Sequence, residues 1–478
     1  MAYRDLAGFV RKLEDKGLLK RITAEVDPYL EIAGITDRVV KSGGPALLFE
    51  NVRGYDIPVL TNTFGSNERM LLALERENPD DLGEELVSFL QPGEIPAGFM
   101  DKLRALPKLA KLASYVPKTV RGGPCQETVE KDEPSVSGLP ILTTWPGDAA
   151  PFVTLPLVFT RDPAGGQRNV GMYRMQVFDS RTLGMHWHIH KDGARHLSRA
   201  AGKMPVAVAI GADPAVVFAA TCPCPPDIDE MLVAGLIRRE AVEMTRCVTC
   251  DLEVPAHAEI VLEGWVDPEE TRTEGPFGDH TGYYSPAGEY PVFHLSCVTR
   301  RKKPVYMATV VGRPPMEDAF LGKATERLFL PVMRMLLPEI VDINMPVEGV
   351  FHNLVLVSVR KAYPGHARKV IHGLWGMGLM MLAKMIVVVD ADVDVQNLSE
   401  VAWRVLGNID ARRDLVVADG PVDALDHAAS LPHLGARLGV DATRKWASEG
   451  YAREWPDAIA MSREVVELVD RKWHGYGF

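Results

Sequence analysis

Between residues 125 and 312 the chain is cut into short apolar or alternating runs, each closed off by Gly, Pro or Asp. They read ILTTW, VTLPLVFT, NVGMYRMQVF, VAVAIG, EIVLEGWV, YPVFHLSCVTR and VYMATVVG. Period-two alternation with such frequent turn residues predicts strands rather than helices. Few folds accept a segment of this kind, and the spacing predicts a β-rich, barrel-like domain. Its one interruption, TCPCPPDIDEMLVAGLIRRE, reads as a Pro-rich loop entering an inserted helix.

The flanks differ. Leu6, Phe9, Val10 and Leu13 recur at helical spacing and stop at Gly17; strand-like LLKRI, ALLFENV and IPVLTNTFGS follow, then helical spacing over residues 69–91. This predicts a small N-terminal α/β unit. Lys102 to Arg121 is basic with leucines at helical spacing, a solvated helix face, and Gly122-Gly123-Pro124 marks a boundary. After Arg313-Pro314-Pro315, helical stretches (318–336, 366–383, 397–406) alternate with LVLVSVR, MIVVVD and DLVVAD, a second α/β unit. The expected division is 1–122, 123–312 and 313–478, a mixed α/β chain. Met461, Val465, Leu468 and Val469 form one stripe of a terminal helix, which predicts docking on a neighbouring subunit and hence a homo-oligomer.

With 478 residues there is room for three cores, and 46% hydrophobic with 24% charged residues places the chain among globular proteins. A net charge of -11 without a basic run strong enough to neutralise phosphates argues against a nucleic-acid binder. Residues 1–20 lack the apolar core of a signal peptide. The most apolar window, LWGMGLMMLAKMIVVVD, is broken by Gly376, Gly378 and Lys384, so it reads as a buried helix running into a strand. A cytoplasmic enzyme is expected. Cys222-Pro-Cys224 and Cys247-Val-Thr-Cys250 have the spacing to offer four thiolates to zinc, but the proline-bound CPC run favours plain buried thiols.

Three clusters carry candidate chemistry. EGPFGDHTGYY, Glu274 to Tyr284, cannot be helix, since Pro276 lacks a donor and three glycines permit tight turns. It is a rigid loop presenting two acids, His280 and two tyrosines. In Asn169-Val-Gly-Met-Tyr-Arg174, an arginine on an apolar strand needs a carboxylate partner if buried. In GMHWHIHKDGARH, His186, His188 and His190 alternate and would share one strand face, with Lys191 and the Asp192-Gly193 turn beside them. One arrangement unites the clusters: Arg174 between Glu274 and Asp279, with Asn169, a histidine and Glu230 holding a cation.

On these residues, and on GADP, GRPP, YPGHA and the closing LDHA, DATRK and REWP, the chain resembles the UbiD family of decarboxylases. DHTGYYS is closer to 4-hydroxy-3-polyprenylbenzoate decarboxylases than to the cinnamic acid enzymes. The resemblance implies a central split-barrel domain binding prenylated FMN, between an N-terminal α/β domain and a C-terminal α/β domain that carries the oligomer contacts, as a dimer or hexamer. It implies that Asn169, His190 (or His188) and Glu230 bind manganese bridging to the flavin phosphate, with potassium nearby. Met172, Tyr173, Arg174, His186, Trp187, His188, Lys191 and Asp192 would line the cofactor, and Lys369 (or Arg368) would contact its phosphate. Arg174 would orient the substrate carboxylate, Asp279 protonate carbon and Glu274 complete the ion network. The implied reaction is non-oxidative decarboxylation of 4-hydroxy-3-polyprenylbenzoate to 2-polyprenylphenol in ubiquinone biosynthesis, through an adduct with a flavin supplied by a partner prenyltransferase. Such a substrate leaves peripheral contact with the inner face of the cell membrane open. The alternatives are another aromatic or heteroaromatic acid such as a hydroxybenzoate or furoate, a zinc-dependent hydrolase built on the three histidines, and a non-catalytic flavin-binding subunit.

Overall fold

The computed structural model describes residues 3–90, 110–224 and 228–477. Its spine is a pair of long antiparallel strands, Ile260–Glu274 and Gly288–Arg300, paired from Ile260 opposite Arg300 to Glu274 opposite Gly288 with register shifts between Glu263 and Gly264 and between Val266 and Thr271. Around them the central sheet runs Phe152–Val153, Met175–Val177, Thr182–Met185, Gly288–Arg300, Ile260–Glu274, Met204–Ile210, Leu157–Arg161, Arg168–Met172, with Thr128–Glu130 added beside Gly288–Arg300. Ile260, Leu262 and Val266 enter one core and Val261 another, so the half-barrel is buried on both faces. That is why its strands read as near-continuous apolar runs rather than strict alternation. The inserted helix, Glu230–Arg238, is capped by Asp229, whose side chain accepts from the Met231 N–H at 2.9 Å.

The N-terminal sheet orders Leu19–Val26, Ala46–Val52, Val59–Thr61 and Tyr306–Met307. VYMATVVG, read above as a last barrel strand, therefore leaves the barrel: Tyr306 and Met307 pair in parallel with Val59 and Leu60. Conversely, Lys118–Val120 pairs with Glu243–Arg246, one strand of a small sheet that also holds Glu253–Pro255. The helical spacing over 69–91 resolves into two helices, Asn67–Leu74 and Asp81–Leu90, because Glu75 turns left-handed (φ 52) and Pro79 follows. Residue 91 and residues 102–109 of the basic stretch lie outside the described residues.

The C-terminal sheet orders Ile340–Asn344, Leu354–Val359, Met385–Asp390, Leu434–Asp441 and Leu415–Pro421. Helix Glu317–Leu336 ties it to the N-terminal unit. Arg327 bonds Asp80 at 2.6 Å and Asp342 at 2.8 Å, and Glu317 accepts the Phe64 N–H at 2.7 Å. A Cβ on Gly83 would stand 2.7 Å from the Arg327 carbonyl oxygen, so the two helices pack this closely only over glycine. The terminal helix, Arg463–Lys472, buries none of its residues, and Met461, Val465 and Leu468 are exposed. No helix among the described residues is long and apolar enough to cross a membrane.

Candidate active site

Strand Arg168–Met172 ends just before Arg174, and pairing resumes at Met175 with a different neighbour. At this break Arg174 points into the half-barrel. Its Nε donates to Glu274 Oε1 at 2.9 Å, and its Nη2 to Glu274 Oε2 at 3.2 Å and Ser285 Oγ at 3.0 Å. Its Nη1 donates to Asp279 Oδ2. The guanidinium lies 4.6 Å from the Phe277 ring centre, an apolar wall that strengthens each of these bonds. Glu274, the last residue of its long strand, is fully buried, and its second oxygen also meets His186 Nδ1 at 3.0 Å.

The loop that follows is tied at several points. The Gly275 N–H donates to Gln176 at 2.6 Å, and the Gly278 N–H to Asp148 at 2.8 Å. Phe277–Gly278 then pairs with Tyr284–Ser285. Gly275 has φ +90, and a Cβ on Gly278 would stand 2.2 Å from the Trp145 ring; both places require glycine. Two carboxylates against one guanidinium give this group a formal charge of minus one. Burial alone would raise the Asp279 carboxyl, but the hydrogen bond from His280 and the charge of Arg174 hold it well below the usual carboxylate range. Glu274 is opposed by burial in the same way, yet held low by His186 and Arg174. His186 is pushed down by burial, and His188, whose Nε2 lies 3.0 Å from that of His186, is pushed down to about 4 by burial and by His186.

His280, given no role by the sequence, is bonded to the acid next to it. Its Nδ1 lies 2.9 Å from Asp279 Oδ1, and its backbone N–H donates to the same oxygen at 2.7 Å. Burial lowers its pKa, but the Asp279 bond and charge win and leave it raised. On its far side Nε2 meets His352 Nε2 at 2.9 Å, and burial pushes His352 down to about 4. Asp318, pushed up to about 7 by burial, and Asp423 act on His280 electrostatically. His352 and Asp423 come from the C-terminal unit, so the acid loop is completed by a different part of the chain. A lone histidine in FHN carries no signal in sequence, and nothing there points to Asp318 or Asp423.

A second group forms around Asn169. Tyr173 lies against Asn169, and Glu230 accepts the Val170 N–H at 2.9 Å. Burial, with Asp229 and Asp192 nearby, pushes Glu230 up to about 8. Tyr173 and Trp187 meet edge-on at 6.3 Å, while Trp187 Nε1 and Asn169 Nδ2 are buried without a hydrogen-bond partner among the described residues. Turned about its terminal bond, the Asn169 amide offers an unused carbonyl oxygen there. An acidic, oxygen-rich donor set in which, among the described residues, no cation pairs with Glu230 fits a hard divalent ion.

The three histidines do not share a strand face. Strand Thr182–Met185 ends before His186, and Ile189 and His190 form the turn into helix Asp192–Arg199. His186 and His188 therefore stay with Glu274, while His190 is exposed, edge-on to His433 at 6.0 Å, with no hydrogen bond to Asn169 or Glu230. The triad needed by a zinc hydrolase is not assembled. Lys191, between the two groups, is lowered by burial despite Asp423 and Asp192. Met172 is half-buried against the core, and Lys369 stands apart, bonded to Glu339 at 2.5 Å, with Arg368 reaching the Arg413 carbonyl.

Three family models match the chain in order. They are described as the N-terminal domain (residues 10–90), the Rift-related domain (118–314) and the C-terminal domain (319–442) of 3-octaprenyl-4-hydroxybenzoate carboxy-lyase, UbiD. A protein of Archaeoglobus fulgidus is 54% identical over 99% of this chain and 98% of its own. Among solved structures, the UbiD-class enzyme HmfF from Pelotomaculum thermopropionicum in complex with FMN is 30% identical, with a TM-score of 0.80 over 98% of this chain and 99% of that one. An evolved dimeric form of HmfF in complex with prenylated FMN is 29% identical, with a TM-score of 0.77 over 96% and 97%. Vanillic acid decarboxylase from Sedimentibacter hydroxybenzoicus is 27% identical in its closed form, with a TM-score of 0.86 over 99% of each chain.

Proposed function

Because the chain belongs to the UbiD family of carboxy-lyases, we propose that it decarboxylates an aromatic acid whose carboxylate seats on Arg174, with prenylated FMN as its cofactor. The observation that carries this reading is Arg174 held between Glu274 and Asp279 at the edge of the half-barrel. When bound, prenylated FMN supplies the electron sink that loss of carbon dioxide from an sp² carbon requires and that no side chain offers.

The rest falls to the protein. Arg174 grips the substrate carboxylate through the Nη1 group now turned to Asp279, and that grip weakens as the charge moves out of the carboxylate. Release of carbon dioxide leaves a carbon that must gain one proton. Asp279, held as a carboxylate, has none to give, so the proton comes from His280 through their shared hydrogen bond, and His352 lies behind to reload it. A protonated His280 also brings the group of Arg174 and two acids to neutrality, which favours an anionic substrate. Glu274 keeps Arg174 in place, and His186 keeps Glu274. Asn169 and Glu230 would hold manganese, offsetting the flavin phosphate against Asp229 and Asp192. His190 can join them only if the Ile189–His190 turn swings inward.

For the substrate, the motifs favour 4-hydroxy-3-polyprenylbenzoate of ubiquinone biosynthesis. Likeness to the closed vanillic acid decarboxylase favours a hydroxybenzoate without a tail as the second reading. The uncovered terminal helix supports a homo-oligomer. The test is carbon dioxide release by holoenzyme, made in cells supplying prenylated FMN, from a panel of both kinds of acid. Turnover of at least one acid, lost in Arg174→Ala with flavin retained, is expected. A flavin-loaded protein inert toward every acid, or an active Arg174→Ala, refutes the reading.

A further inference from the structure

The CPC and CVTC pairs, which sequence spacing groups into one zinc quartet, are separated by the fold. Cys222 and Cys224 lie beside Glu230, with Cys222 Sγ reaching the Phe218 carbonyl at 3.6 Å. Cys247 and Cys250 sit in the turn between strands Glu243–Arg246 and Glu253–Pro255, closed by a 2.9 Å bond from the Cys247 N–H to the Leu252 carbonyl. There they meet a different ligand, Glu263 on the long strand Ile260–Glu274, and the three ligand atoms lie within 4.8 Å of one another.

Glu263 is unusual. It is fully buried, and among the described residues no Lys, Arg or His forms an ion pair with it. A buried carboxylate with no cation is costly, because hydrogen bonds offset only part of the lost hydration. Those bonds come from the cysteine turn itself: the Val248 N–H at 2.9 Å, the Thr249 N–H at 2.7 Å and the Thr249 hydroxyl at 2.7 Å. The turn is thus folded around the carboxylate, with both thiols brought to the same place. Cys297, opposite Glu263 in the strand ladder, and Cys125 are further buried thiols at this end of the sheet. The Cys247 thiol is raised by its bond to Cys250, by burial and by the Glu263 charge.

We propose that Cys247, Cys250 and Glu263 bind a zinc ion that fastens the 247–252 turn to the central sheet. The ion replaces the two thiol protons, which leave to solvent, and supplies the cation that Glu263 lacks; water fills the fourth position, since both cysteines are only half-buried. Two thiolates and one carboxylate favour zinc, whereas the oxygen donors at Asn169 and Glu230 favour manganese, so the two sites differ in chemistry as well as place.

Elemental analysis of full-length protein incubated with zinc and then desalted tests this. About one zinc per chain is expected, falling below about a tenth in Cys250→Ser and Glu263→Gln but unchanged in Glu230→Gln. Cobalt in place of zinc should give the visible bands of a tetrahedral site with a thiolate charge-transfer band, read on the unaltered chain, so the test survives a variant that fails to fold. Zinc-free protein whose Cys247 and Cys250 react freely with a thiol reagent, or a Cys247–Cys250 disulfide by mass spectrometry, overturns the proposal.

Discussion

Replacing His280 by glutamine separates the acid that touches the substrate from the group that feeds it. Glutamine keeps a donor toward Asp279 but cannot carry a proton. An ordinary aspartate, with a pKa of about 3.9, is protonated about once in a thousand molecules at pH 7, which costs about 4 kcal/mol. Asp279 is held lower still by His280 and Arg174, so in the free enzyme that cost is a floor. Part of the shift is relieved once the substrate carboxylate engages Arg174. The expected loss in kcat is therefore about 10²- to 10³-fold, or about 3–4 kcal/mol. The assay is carbon dioxide release against pH, with flavin content and thermal unfolding checked in parallel. In the unaltered enzyme, activity falls as pH rises through the raised pKa of His280, where the proton is lost. In His280→Gln that limb moves to the acid side, because only direct protonation of Asp279 remains. A His280→Gln enzyme with full flavin, unchanged kcat and the same alkaline limb refutes the relay.

Glu274→Ala leaves Arg174 buried with Asp279 as its one carboxylate partner, and should destabilise the chain by about 3 kcal/mol, read as a lower urea midpoint. Both acids are held below their unfolded values of about 3.9 and 4.3, so their stabilisation is complete above those values and lost as pH falls through the folded ones. Asp279→Asn should accordingly flatten the loss of thermal stability between about pH 4 and pH 2; an unchanged acid slope counts against the pairing. Asn169→Ala and Glu230→Gln should lower bound manganese and flavin together, by elemental analysis and absorbance, while a variant keeping both would remove these residues from the metal site. Truncation after residue 457 should lower the molar mass in light scattering if the terminal helix covers a second copy, and an unchanged mass excludes that role.

The local features were legible because they depend on neighbours in the chain. The apolar runs of the half-barrel, the helix Leu6–Asp15 with its Gly17 stop, and the rigidity of the Glu274–Tyr284 loop follow from periodicity and from backbone freedom at Gly and Pro. The demand of a buried arginine for carboxylates could likewise be read before any partner was known. Tertiary structure decided what those features meet. It set Arg174 a hundred residues from Glu274 against it, and His352 against His280, contacts that no local period encodes. It ended a strand at Met185, so that His190 parts from His186 and His188. It sent Tyr306–Met307 to the N-terminal sheet, and gave Cys247 and Cys250 to Glu263 rather than to the other cysteine pair. Spacing along a chain fixes which side chains can share one turn or one strand face; which distant charges must share a buried site is settled only when the core closes and leaves them no water.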